Sequence, residues 1–400
     1  MQKNPHALKV KLILWLIAAL TMLSGTTIAA SLPGISAHFV PVGGDNEIIS
    51  RLILTIPALT IAIVAPLAGW VIHHFGKIKP IYFSLVLYAV AGCSGLFADS
   101  IVALLIGRVG LGVAVAVLMT AGTTLVGDYY EGVERDRFIS KQSAFVTLGG
   151  VFFLVGGGLL ADFSWRAPFG VYFVSLLFIP LTAIALFEPT KSRADPNQNA
   201  SLFGKGGYFD ALPAFAVAFF TMAIFYIVPT QLPFVVESMN GDGIDAGIVM
   251  GIGPLFAAIS ALSYANLRKR FSLKEIYLAI CLLQGAGLGI VGLASEVWQL
   301  YAPFVLVGLG NGLAMGNTSA WFLELAAPQK RAKLSGILTG SFFLGQFCSP
   351  LFVHPFLRFM QLHYVFSLFG GFLLIAAFVL ALNCVKAKLR YATAQKLGGG

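Results

Sequence analysis

Arg108 lies about two turns into an apolar run at 101–126, and Arg51 about one turn into another at 48–72. A charge at mid-bilayer costs at least ~2.5 kcal/mol unless it is paired or wetted. An arginine in such a run therefore either snorkels its head to the nearer surface or works there. A permanent guanidinium in a wet cavity binds an anion or biases a neighbouring proton site. Snorkelling is the better account of Arg51. Arg108 is the stronger candidate for chemistry, with Gly110 and Gly112 beside it to let another helix come close. Uncharged polar side chains mark further candidates. Asn311, Met315 and Thr318 recur at i, i+4 and i+7 and form one helical stripe. Thr26 and Thr27, Tyr226 and Gln231, and Gln346 interrupt three other apolar runs. These groups either line a polar path or bond from helix to helix, and residue type does not separate the two.

Other chemistries lack their residues. His73 and His74 are adjacent, so their side chains point apart; they read as interfacial loop residues rather than as metal ligands. Cys93, Cys281, Cys348 and Cys384 stand singly, with no CxxC, so neither a metal site nor a disulfide frame is expected. The glycines at 308, 310 and 312 lie inside an apolar run with no strand before it. They suit close helix packing, not a dinucleotide loop. No phosphate-binding loop of the Walker type occurs, and no paired carboxylates or Ser/His set sits at depth. An enzyme is therefore not expected, and no cofactor is implied. A sensor or scaffold would be expected to bring a soluble module, and no connection is long enough for one.

Membrane helices must position these residues. The 400 residues are 58% hydrophobic and 11% charged, with mean hydropathy +0.86; a soluble domain carries about 25% charge. About 20 apolar residues cross a bilayer as one helix. Twelve runs qualify, near 12–32, 48–72, 80–98, 101–126, 142–161, 168–187, 209–232, 246–266, 275–294, 298–322, 335–354 and 364–385. The first is too long for a signal-peptide core and reads as an uncleaved span.

A net charge of +9 would suggest nucleic acid for a soluble protein. Its distribution points to lipid instead. With a cytoplasmic N-terminus, all 26 Lys and Arg except Arg51, Arg108, Arg166 and Arg358 fall on the cytoplasmic side. That bias predicts both termini inside. Asp45, Glu47, Asp99, Asp162, Glu237 and Glu296 cluster near the outer span ends, and Asp128, Asp210, Glu275 and Glu324 near the inner ends, where interfacial solvation explains them. Between the sixth and seventh runs, Glu188 to Tyr208 is polar and rich in turn formers. It reads as a flexible cytoplasmic linker, on which the Asn199-Ala200-Ser201 acceptor triplet has no meaning. The linker divides an N-terminal six-helix half, 1–187, from a C-terminal six-helix half, 209–400. One shift of 196 residues relates the halves: Pro33 falls on Pro229, Asp128 on Glu324, Arg135 on Arg331 and Gly149 on Gly345. A constant offset joining equivalent places argues for duplicated halves.

With these motifs in place the chain resembles the major facilitator superfamily, most closely its twelve-helix drug:proton antiporter branch. Gly69-Trp70-Val71-Ile72-His73-His74-Phe75-Gly76-Lys77 is similar to the family's loop motif after span two. Gly69, Gly76 and Lys77 fit; His73 and His74 replace its acid and its arginine. Arg108, Gly110 and Gly112 resemble the Arg-and-glycine motif of span four, and Asp128 to Arg135 the acid-to-Arg loop after it. Span five carries Gly149, Gly157 and Gly158 at the antiporter spacing, with Phe153-Leu154 in place of the central Gly-Pro pair. The resemblance implies an all-α integral membrane protein of the major facilitator fold, with spans one, four, seven and ten around a central cavity. It implies a monomer in the inner membrane that moves a small organic molecule by alternating access, with proton-coupled efflux of amphipathic compounds leading. An importer of an organic anion or siderophore-like metal chelate is the alternative, suggested by Arg51, Arg108 and the altered signature.

Overall fold

The computed structural model describes residues 5–39, 47–189 and 203–397. Asp45, the side chain of Glu47, linker residues 190–202 with the Asn199 triplet, and the terminal glycines at 398–400 lie outside them. The described residues form no strand. Twelve helical segments are long and apolar enough to cross a membrane. Spans 1 to 6 are Leu8–Phe39, Ile48–Phe75, Ile78–Leu96, Ile101–Tyr129, Gly132–Phe163 and Ala167–Ala185. Spans 7 to 12 are Tyr208–Ser238, Gly243–Arg270, Leu273–Val291, Val297–Leu325, Lys333–Leu357 and Leu362–Lys386.

Spans 1 and 7 run further than their apolar periods suggest, and each is broken inside. Span 1 is helical to Thr26, tightens to a 3-10 turn at Ala29–Ser31 and resumes as Leu32–Phe39. Span 7 stops at Phe225 and resumes as Ile227–Ser238. The cause is proline. Its ring clashes with the carbonyl four residues earlier and it donates no N–H. For Pro33 that carbonyl belongs to Ala29, and for Pro229 to Phe225, which is where each helix gives way. A new helix tolerates proline in its first turn, so the span continues beyond. Span 5 differs from expectation at its other end. Gly132 to Lys141 is polar and reads as loop, yet it is helical, because Glu, Arg and Lys are good helix formers once a neighbouring apolar stretch supplies the nucleus.

The chain packs as two compact units, Met1–Gly251 with Leu325–Pro355, and Ile252–Glu324 with Phe356–Gly400. In the first, span 4 is central, packed on spans 1, 2 and 3. Gly112 lets it touch span 2: a Cβ there would stand 2.6 Å from the Thr60 Cβ and 2.8 Å from the Pro57 carbonyl oxygen. In the second unit, spans 9 and 12 form the closest pair, joined where Gly370 meets the backbone of Gly285 and Gly289. Without a hydrophobic force between helices in lipid, such backbone proximity is the main source of attraction. Gly112→Val should therefore lower the thermal unfolding temperature in detergent by several degrees, the cost of overpacking being ~1–3 kcal/mol. An unchanged unfolding temperature would show that spans 2 and 4 can part without loss.

Candidate functional site

Arg108 is fully buried and reaches three neighbours. Its Nε donates to the Ile53 carbonyl at 3.0 Å, Nη1 to the Tyr172 hydroxyl at 2.9 Å and Nη2 to the Ser24 carbonyl at 2.6 Å. The Tyr172 hydroxyl also donates to Ser24, at 3.0 Å. Both carbonyls are available for local reasons. Within a helix the Ile53 oxygen would accept from residue 57, but Pro57 has no N–H. Ser24 lies in the last turn before the break in span 1, where carbonyls lose their intrahelical donors. Arg108 thus fastens span 4 to spans 2 and 1 by carbonyls that Pro57 and the helix break set free, and to span 6 by the Tyr172 hydroxyl.

A second cluster forms at the breaks themselves. Tyr226, at the break in span 7, pairs with Gln346 of span 11, and its hydroxyl lies 3.5 Å from where a Cβ on Gly25 would stand. Thr26 follows Gly25, half-buried, with its hydroxyl turned back to the Met22 carbonyl at 3.0 Å. Thr27 is buried and bonds Leu23 in the same way, at 3.1 Å. Gly25, Tyr226 and Gln346 are therefore brought together from three separate spans, and the Thr26 hydroxyl is bonded within its own helix. The stripe on span 10 belongs to the other unit and has its own partners. Gln284 donates to Asn311 at 2.7 Å, and the Tyr277 hydroxyl to Thr318 at 3.0 Å. Asn311 and Thr318 thus bond across to span 9, and Met315 is exposed.

Two sets of contacts tie span ends. At one end, Arg51 Nε donates to Gln231 at 2.7 Å, both residues being buried, with the guanidinium 4.5 Å from the centre of the Phe234 ring. Nearby in topology, the Asp162 carboxylate accepts from the backbone N–H groups of Gly243 and Ile244, at 2.6 and 3.1 Å. It caps the start of span 8, where helix N–H groups are unpaired and favour an anion. Gly158 permits the approach: a Cβ there would collide with the Gly243 carbonyl. Gly157 does the same against Thr27 in span 1, whereas Gly149 has only Phe153 within 4 Å.

At the opposite end, Lys77 and Asp128 form a buried ion pair at 3.1 Å. The Glu188 carboxylate accepts from the backbone N–H of Lys77 at 2.9 Å and of Ile78 at 3.1 Å. Gly76 has φ +77°, which only glycine adopts freely, and that turn presents the two N–H groups to Glu188. Gly69 faces open space, and Arg135 is exposed in the first turn of span 5. His73 is exposed and packs edge-on to His74, which lies on Trp70 with ring centres 4.6 Å apart. Sequence reasoning did not single out Glu188, Tyr172, Gly25, Tyr277 or Gln284. Glu188 had a signal, as the first acid after span 6 on the Lys77 side; the others are ordinary residues for their runs. Among the described residues no group of three His, Cys, Asp or Glu side chains is placed to hold a metal.

The sequence model of the Major Facilitator Superfamily matches residues 14–283 and again 214–397. The chain belongs to this superfamily. As a member it is a transporter of small molecules and not an enzyme. Among curated relatives, Multidrug resistance protein 2 of Bacillus subtilis is 25% identical over 80% of this chain and 82% of its own length. Tetracycline resistance protein, class C, of Escherichia coli is 24% identical over 76% and 78%. Solved superfamily structures share the fold. A bacterial homolog of the human lysosomal transporter Spinster, inward-facing and occupied, superposes with TM-score 0.77 at 18% identity, over 95% of this chain and 97% of that one. The xylose transporter of Escherichia coli, inward open, gives TM-score 0.77 at 13% identity, over 93% and 95%.

The Lys77–Asp128 pair supports a test within this frame. Asp128→Asn leaves the buried Lys77 ammonium with a neutral amide and the more distant Glu188 carboxylate, at 3.9 Å, which costs ~1–3 kcal/mol. The unfolding temperature in detergent should drop clearly, and Lys77→Met with Asp128→Leu should recover most of the loss. If Asp128→Asn unfolds with the wild-type midpoint, the pair is not holding this end together.

Proposed function

We propose that this transporter exports small amphipathic organic molecules across the inner membrane in exchange for protons, by alternating access of the halves 1–187 and 209–400. The observation that carries the reading is the pair of broken helices. Spans 1 and 7 give way at the residues preceding Pro33 and Pro229, 196 positions apart, and Gly25, Tyr226 and Gln346 meet beside these breaks. Discontinuous helices in paired repeats are where such transporters hold their cargo. A phenol and a carboxamide in an otherwise apolar stretch suit a compound with one or two polar groups. The relatives named for multidrug and tetracycline resistance favour export.

Both termini are taken as cytoplasmic, from the charge bias. On that orientation the Arg51–Gln231 and Asp162–Gly243 contacts close the outer end, and the site loads from the cytoplasm. Import of an organic anion is a second reading, favoured by Phe153-Leu154 in span 5 and by the neutral partners of Arg108.

Inside-out proteoliposomes acidified within should accumulate an amphipathic dye several-fold over liposomes without protein, and a protonophore should abolish the gain. Accumulation indifferent to the protonophore would remove proton coupling. Proton-driven release of a preloaded iron chelate from these vesicles, with no dye accumulated, would replace export by the second reading. Orientation has its own test. In intact cells an impermeant maleimide should label Asn240→Cys and spare Lys205→Cys; the reverse pattern would invert the topology and the assignment of the outer end.

A further inference from the structure

Arg108 cannot touch a cargo. It is fully buried and three of its donors are committed to Ile53, Tyr172 and Ser24. All three partners are neutral, and among the described residues no carboxylate pairs with it. Carbonyl dipoles and a phenol solvate a guanidinium but do not cancel its charge, and arginine does not lose its proton in a protein. One full positive charge therefore stands in the bundle at all working pH values.

Its position relative to the site at the helix breaks follows from span 1. Ser24 accepts from Arg108 on one side of this helix. The next residue, Gly25, meets the Tyr226 hydroxyl, and Thr26 follows. The charge and the site are thus on two sides of a single helix, on the order of 10 Å apart. Through a protein interior of effective dielectric about 20, a unit charge at that distance changes the local concentration of a monovalent ion on the order of tenfold. Anions gain and cations lose by that factor.

We propose that Arg108 selects cargo by its field: the site beside Gly25, Thr26 and Tyr226 takes anionic or neutral amphipathic compounds and disfavours cationic ones. This names the cargo class for the site of the preceding section and rests on that site being the one that binds. The role differs from a binding arginine, because contact is absent, and from a mere brace, because a brace has no preference for the sign of a solute.

The potential can be read without any cargo. Met22, one turn before Thr26, is 43% exposed. In a chain whose Cys93, Cys281, Cys348 and Cys384 are replaced by Ala, Met22→Cys and Thr26→Cys are each reacted in detergent with two methanethiosulfonates. One is sulfonatoethyl, negative; the other is trimethylammonioethyl, positive. Each rate is divided by that of the same reagent with a small free thiol. The field's effect on thiolate formation is common to both reagents and cancels in their ratio. The normalised ratio of negative to positive reagent should exceed ten. Arg108→Gln should bring it within about threefold of unity, and Arg108→Lys should keep most of it. Tyr172→Glu, which sets a carboxylate against the same guanidinium, should abolish it without removing the arginine. A ratio near one in the parent, a ratio unmoved by Arg108→Gln, or equal loss in Arg108→Gln and Arg108→Lys would each overturn the proposal. The reagents need no transport, so the result stands apart from whether efflux is observed.

Discussion

In hydrocarbon every backbone carbonyl needs a donor, because no water is there to supply one. Pro57 and one helix break strip donors from the N-terminal spans, and Arg108 restores them. The price of the arginine, a buried charge, is lowered by the same carbonyls that needed it. Much of the first unit depends on this exchange. Span 4 can sit against spans 1, 2 and 6 only with Arg108 extended between them, and Gly112 must be bare for span 2 to approach. Lysine could not substitute fully, since a point charge on a flexible stem lacks the planar fork that addresses separate acceptors at fixed angles.

The two ends of the bundle are fastened by different physics. The Lys77–Asp128 pair is dry and backed by Glu188 on a glycine turn. Breaking it strands a charge, so it favours one arrangement strongly. The Asp162 cap on span 8 is exposed. Its carboxylate can exchange two amide donors for water with little loss, as surface electrostatics generally allow. The Arg51–Gln231 bond is buried but joins a charge to a neutral amide. Contacts of this second kind are suited to being made and unmade.

How much of this was legible in sequence divides along a physical line. The spans were, because lipid imposes a composition that no soluble fold shares. Lys77, Asp128, Gly157 and Gly158 stood out by local spacing, but the buried pairing of Lys77 with Asp128 did not, since interfacial solvation was enough to explain an acid at a span end. Tyr226 and Gln346 stood out as polar residues in apolar runs, but their meeting beside Gly25 did not, since it depends on three spans coming together. The stripe on span 10 shows the ambiguity directly. Asn311 and Thr318 share a helix face as the period requires, yet their partners Gln284 and Tyr277 lie on span 9, and nothing in the period says which neighbour that face will meet. Tyr172 gave no signal at all. A tyrosine in a membrane run is unremarked until an arginine 64 positions away in the chain is found against its hydroxyl.

Pro33 and Pro229 fix where two helices bend by means of an imino acid, independently of the side chains around them. Skeleton and lining can then diverge separately. At positions 196 residues apart next to the bends the first span carries Ala30 and the seventh carries Tyr226, so one bend offers a methyl group and the other a phenol. Two bends of this kind can hold a molecule that has no symmetry of its own, and chemical variety enters by changing residues that bear no part of the bending.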